Sequence, residues 1–299
     1  MLKMFLEIIK FLSGFVAIVL PLSLILIIIT FNKYTHPPKY PLITKPSDYG
    51  IAYEDVRFLT EDGMMLSGWF IKGERDKPGV IVIHGYGTNR SDLIDIIFMF
   101  YKLGFSVLSF DFRAHGESGG TRTGLGWTER KDVRSALLYL KNYKMSEYNG
   151  MVGAYGTSMG ASATILATDK DLIFDFYIID GAYARLQESI KRHLKLLIKT
   201  DNVLIYKFLD YIYKRQNGVS FEDVNPYQSM KYIDKKPVLL IYAEDDSLAC
   251  VADGLMFQEW YPKAELIVIK GAEHGQSFHL GKDIIQEKIL KISEGSGTP

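Results

Sequence analysis

The sequence predicts an α/β protein: a mostly parallel central sheet wrapped by helices, preceded by one long apolar N-terminal segment. Three observations carry that prediction. Strand-like runs alternate with helical periodicity from Val80 to the C-terminal region. Val80-Ile81-Val82-Ile83 is apolar at every position, as a strand covered on both faces must be. Finally, Gly156-Thr157-Ser158-Met159-Gly160 separates a short strand-like run from a run of small helix formers. A serine between glycines at a strand-to-helix turn is pushed out above the sheet edge, because the turn is too crowded for larger neighbours.

Taken in order, the first element is the segment Phe11 to Phe31, which holds no charged residue over 21 positions. At about 1.5 Å per residue it is long enough to cross a hydrocarbon core as a helix. Lys3 and Lys10 precede it, and Lys33 and Lys39 follow. The run ends in Ile27-Ile28-Ile29-Thr30-Phe31 with no small-residue cleavage site. Residues 1–32 therefore read as an uncleaved signal anchor rather than a cleaved signal peptide. Pro21 is tolerable inside a membrane helix. The expectation is a single-pass membrane protein with its folded domain on the extracytoplasmic side. Residues 33–50 carry Pro37, Pro38, Pro41 and Pro46 and read as an extended linker.

Residues 51–299 form the domain. Glu54–Thr60 and Met64–Ile71 read as a hairpin turning at Glu61-Asp62-Gly63. Val80–Ile83 is the third strand, and Ser91–Leu103 is a helix ending at Gly104. Phe105–Phe110 is a strand and Trp127–Tyr143 a helix with Val133, Ala136, Leu137 and Leu140 on its apolar face. Met151–Tyr155 and Ala161–Ala167 flank the serine turn, and Phe176–Asp180 follows. Pro237–Ala243 and Ala264–Ile269 are the last strands, with helices at Val251–Trp260 and Asp283–Ile292. The stretch from Tyr183 to Tyr232 contains no strand, only helical pattern rich in basic and aromatic residues. It is too long for an ordinary connection and reads as a helical cap over the C-terminal edge of the sheet. Within it, Lys191, Arg192, Lys195 and Lys199 read as a solvated helix face, with attraction of anionic head groups as the alternative.

Bulk composition excludes several classes. With 35 basic and 35 acidic residues the formal charge is zero, and no basic arm is present, which argues against nucleic acid as a partner. The single cysteine, Cys250, rules out an internal disulfide and reads as a small buried hydrophobe. No metal or organic cofactor is called for.

The chemistry centres on Ser158. A serine hydroxyl is a poor nucleophile at neutral pH and needs a base. His274 follows the last strand in Gly271-Ala272-Glu273-His274-Gly275, at the same sheet edge as the serine. His279 is its nearest rival but falls beyond that loop. A base of this kind needs a carboxylate to hold its tautomer, and Glu244, Asp245 and Asp246 all follow the preceding strand. The helix starting after Ser158 also presents backbone N–H groups where an oxyanion could be stabilised.

These residues, with His84-Gly85-Tyr86-Gly87 and Asp111-Phe112-Arg113-Ala114-His115-Gly116-Glu117-Ser118, make the chain resemble the α/β-hydrolase superfamily. The likeness spans roughly Tyr53 to Lys291 and is to the single-domain serine hydrolases grouped as Bem46-like and cinnamoyl-esterase-like. The resemblance implies the α/β-hydrolase fold. Among the three acids it favours Asp246, three residues after the strand's last small residue, with Asp245 as the alternative. It implies a catalytic set of Ser158, Asp246 and His274, with the amides of Tyr86 and Met159 as oxyanion donors. His84 is structural in such proteins, and the loop from Asp111 to Ser118, His115 included, reads as a brace. Ala114 and Ala243 stand where relatives usually carry glycine. The first is tolerable if its φ is negative.

The expected activity is acyl transfer to water: a membrane-anchored hydrolase of carboxylic esters or thioesters, acting on a small-molecule ester or acyl substrate. A serine at the elbow argues against dehalogenase and epoxide hydrolase chemistry. Two rivals are a serine peptidase of the prolyl-oligopeptidase-like kind, which lacks an obvious acidic pair for a peptide amino terminus, and a catalytically silent receptor or scaffold.

Overall fold

In the computed structural model, residues 2–233 and 235–295 are described. The chain divides into two units, Met1–His36 and Pro37–Pro299. The first is one helix, α1 (Leu2–Thr35), with Pro21 inside it. Its stretch Ser13–Thr35 is long and apolar enough to cross a membrane, judged by length and composition.

The second unit is built on an eight-stranded sheet of order β1-β2-β4-β3-β5-β6-β7-β8. The strands are β1 (Glu54–Leu59), β2 (Met65–Ile71), β3 (Gly79–Ile83), β4 (Ser106–Phe110), β5 (Val152–Thr157), β6 (Phe176–Asp180), β7 (Val238–Ala243) and β8 (Glu265–Ile269). The predicted hairpin pairs β1 with β2, and β2 pairs antiparallel with β4. From β4 to β8 every pairing is parallel. Alternation in β3 divides the core between the two faces. Ile81 and Ile83 pack with Val133, Leu137 and Leu140 of α3 (Glu129–Tyr143) and with Ala161 and Ile165 of α4 (Met159–Ala167). Val80 and Val82 pack with Ile97 and Phe100 of α2 (Ile94–Lys102) and with Phe278 and Ile285 of α8 (Ser277–Gly295). All strands that follow a crossover end at one edge, which is where ligands bind in open parallel sheets.

Several features differ from the sequence reading. The helix expected from Ser91 opens as a 3₁₀ turn, Arg90–Leu93, before α2 begins. The last helix begins at Ser277 rather than Asp283, and bends at Gly281, where a Cβ would press on the Ile269 side chain. The proline-rich stretch is tied to the domain: Ile43 and Thr44 N–H donate to Ser91 Oγ, and Asn89 Nδ2 donates to the Tyr40 and Pro41 carbonyls. Ala114 has φ of +65°, not the negative value that would make it easy. Its N–H donates to the Gly119 carbonyl at 2.8 Å, so the loop holds an alanine in a left-handed conformation at a cost of about 1 kcal/mol.

The insertion between β6 and β7 forms α5 (Leu186–Ile198) and α6 (Val203–Asn217), followed by short 3₁₀ turns. It is held down by buried tyrosines: Tyr213 Oη donates to the Gly124 carbonyl and Tyr183 Oη to the Leu125 carbonyl. Arg192 leaves the solvated face assigned to it. It reaches Asp253 at 2.8 Å and Cys250 Sγ at 2.8 Å, joining α5 to the start of α7 (Val251–Trp260). Cys250 is therefore half-buried against a guanidinium rather than packed as a hydrophobe.

Candidate active site

Ser158 occupies the single residue between β5 and α4, with φ 52° and ψ −120°. A non-glycine residue there is strained by roughly 1–3 kcal/mol, so the surroundings must hold it. Its N–H donates to the Asp180 carbonyl at 2.7 Å, and its carbonyl accepts from Ser162 N–H at 3.1 Å. Both flanking glycines are required by close approach. A Cβ on Gly156 would lie 2.7 Å from Ala161 Cα, and one on Gly160 would collide with the His84 carbonyl oxygen.

The loop after β8 brings His274 to the serine, with Ser158 Oγ 2.9 Å from His274 Nε2. On the other side of the ring, His274 Nδ1 is 2.6 Å from Asp246 Oδ2. The second oxygen of Asp246 accepts from Leu248 N–H at 2.7 Å and Ala249 N–H at 2.9 Å, which fixes the carboxylate. A buried carboxylate that accepts from Nδ1–H leaves Nε2 free to accept the serine proton. Of the three acids after β7, only Asp246 faces the ring. Asp245 is exposed, and Glu244 accepts from Gly271 N–H at 3.0 Å. His279 lies on α8 at the cavity wall and does not take His274's place.

The other predicted residues fall around this relay. Gly85 backs directly onto the serine, where a Cβ would lie 3.2 Å from Ser158 Cβ. Tyr86 lines the cavity. Met159 is buried as the first residue of α4, so its N–H lies outside the intrahelical ladder. His84 is wholly buried, accepting from Phe112 N–H through Nε2 at 2.9 Å, with Nδ1 2.7 Å from the Gly85 carbonyl. Burial holds its pKa well below the usual value, so it stays neutral. His115 accepts from Gly87 N–H at 3.1 Å, and Arg90 bridges Asp111 and Glu117. These contacts brace the loop that carries Tyr86.

A cavity of about 310 Å³ opens beside Ser158 and His274. Its apolar wall includes Leu93, Ile96 and Phe278. Asp92, Asp95 and Asp180 also line it, and the sequence reading assigned none of them a role. Asp180 ends β6 beneath the serine, takes a 3.0 Å hydrogen bond from Tyr155 Oη, and is pushed by burial up to about 6. The signal that could have found it is its place as the last residue of a central parallel strand. None of the lining residues comes from the insertion at 183–232. Among the described residues no cluster of three or more His, Cys, Asp or Glu side chains is suited to a metal ion.

The fold, together with a serine on a strained strand-to-helix turn facing a histidine and a buried aspartate, defines an α/β-hydrolase. Residues 74–232 match the family described as serine aminopeptidase, S33, and the chain belongs to that α/β-hydrolase family. It is similar to the uncharacterized protein YqkD of Bacillus subtilis, 29% identical over 77% of this chain and 78% of that protein. It also resembles the membrane protein YNL320W of Saccharomyces cerevisiae, at 27% identity over 52% of this chain and 54% of the yeast protein. Among solved structures, the Pyrococcus furiosus esterase Pf2001 superposes with a TM-score of 0.73 and 29% identity, covering 87% of this chain and 97% of that one.

Proposed function

We propose that this protein is a membrane-anchored serine hydrolase that cleaves carboxylic esters or thioesters through an acyl-enzyme. The observation that carries the reading is the continuous relay Asp246–His274–Ser158, opening onto a cavity of about 310 Å³. His274 Nε2 removes the serine proton as Oγ attacks the carbonyl carbon, and the resulting imidazolium is stabilised by Asp246. The Tyr86 and Met159 amides hold the oxyanion. His274 then protonates the leaving oxygen or sulfur, and water repeats the sequence to release the acid. Similarity to an esterase of nearly full coverage supports ester over amide bonds. Residues up to His36 supply the anchor, and the hydrolase unit faces the extracytoplasmic side.

The test is fluorophosphonate labelling together with hydrolysis of p-nitrophenyl esters of increasing chain length. Wild type should label and turn over, and Ser158→Ala should do neither while remaining folded. Failure of folded wild type to label would favour the silent-receptor reading instead.

One observation favours a second reading. Asp92 and Asp95 both line the cavity wall, Asp92 with one oxygen accepting from Asn89 N–H at 2.8 Å, and a substrate ammonium could sit against them. Turnover of aminoacyl anilides without turnover of esters would select that peptidase-like activity.

A further inference from the structure

The end of α5 and the start of α6 form a hairpin tip whose apolar residues face outward. Leu196, Leu197 and Ile198 are 53%, 65% and 48% exposed, and Val203 and Leu204 are 61% and 76% exposed. Leu196 to Ile198 are consecutive, so they fan over more than half of the helix circumference, and the apolar surface at the tip is not confined to one inward stripe. Farther from the tip both helices bury a normal stripe, Leu186 and Ile190 on α5 and Leu209 and Tyr213 on α6. The tip itself is tightly made. Lys199 closes α5 in a left-handed conformation, and Asn202 Oδ1 accepts from Leu204 and Ile205 N–H to start α6. A capped turn that presents five large apolar side chains marks an interaction surface, since isolated exposed residues do not cluster this way.

The charges around the tip identify the partner. Lys195, Lys199 and Lys207 are exposed, and no carboxylate pairs with them among the described residues. Asp201 is the one acidic residue between Glu188 and Asp210. Apolar side chains at the end of a helical hairpin, ringed by unpaired lysines, fit the boundary between headgroups and acyl chains of a bilayer containing anionic phospholipid. A protein partner would satisfy the leucines but would need a matching acidic collar. The bilayer supplies both the apolar interior and the negative surface.

We propose that the tip from Leu194 to Leu204 is a membrane-dipping element that seats the hydrolase unit on anionic lipid, separately from any anchoring by α1. The test uses the full chain, with Cys250→Ser to remove the native thiol, reconstituted in phosphatidylcholine vesicles with or without phosphatidylglycerol. An NBD fluorophore is attached through Leu197→Cys or Leu204→Cys, and through Tyr143→Cys on α3 as an exposed control. The expected result is a blue-shifted emission at the two tip positions that is mostly lost when doxyl-labelled lipid is added. That loss should be larger with phosphatidylglycerol and absent at the control. Adding Lys195→Glu and Lys199→Glu should reduce it severalfold. Emission at the tip that matches the control would overturn the proposal. So would a blue shift insensitive to doxyl lipid, which would mean a protein partner or a second copy. Equal quenching in both lipid mixtures would also overturn it, because the lysine collar would then select nothing.

Discussion

Every residue of β3, β4, β6 and β7 is buried, whereas α6 buries only Leu209 and Tyr213 of its 15 residues. The two regions handle precision differently. Strand ends packed on both faces can hold Ser158 in a strained backbone and fix Asp246 just after β7, because no neighbour can yield without opening the core, while His274 arrives on the loop after β8, the partly exposed edge strand. No residue of the α5–α6 hairpin lines the cavity, and its polar ties to the sheet unit include Tyr213 and Arg192 with the Arg122 bond to the Gln216 carbonyl. Chemistry therefore depends on the sheet edge, while the hairpin is free to serve an interface.

The comparison breaks most sharply at the acid. Asp246→Asn removes the acceptor that fixes the His274 tautomer and should lower kcat by about 10³- to 10⁴-fold in an ester assay. Asp245→Asn, one residue away and exposed, should leave kcat within about twofold. A test of the sheet edge as a rigid frame comes next. Gly160→Ala drives a methyl into the His84 carbonyl, and chemical denaturation should show a loss of about 2–4 kcal/mol, or no folded protein.

A smaller effect is expected at Asp180. Its carboxyl is pushed up to about 6 by burial, so the folded protein retains a proton that the unfolded chain releases near pH 4. The native state therefore loses stability as pH rises from about 4 to 6, and the loss is complete above that range. Asp180→Asn can still accept from Tyr155 and should raise stability at pH 8 by roughly 1–3 kcal/mol, with the gain vanishing by pH 4 in parallel urea titrations. An unchanged difference between the two pH values would refute a raised Asp180. The smallest effect belongs to the hairpin: Leu197→Ser should change unfolding free energy by less than about 0.5 kcal/mol, because the side chain has little to lose.

Much of this was legible in the chain. Buried strands such as Val80–Ile83 leave a continuous apolar signature, and the glycines around Ser158 mark a turn that few other residues fit. His274 was legible because loop residues directly after a parallel strand share an edge with those after its neighbours. Other features were not. Nothing in the sequence singles out Asp92 and Asp95 near the start of a helix, and only the fold brings that helix beside Ser158. The positive φ of Ala114 was hinted at only by the glycine that relatives usually carry there, since an alanine by itself does not announce a left-handed backbone.

By itself the sequence determined the order of strands and helices, the apolar N-terminal helix, and the candidate serine and histidine, because these follow from periodicity and from positions just after parallel strands. Only the tertiary structure decided which of two adjacent aspartates meets the histidine. It also decided that no residue of the insertion lines the cavity and that leucines at the ends of its helices lie in solvent. Those outcomes depend on how segments distant in sequence pack, and a one-residue shift in a loop reverses which side chain faces in.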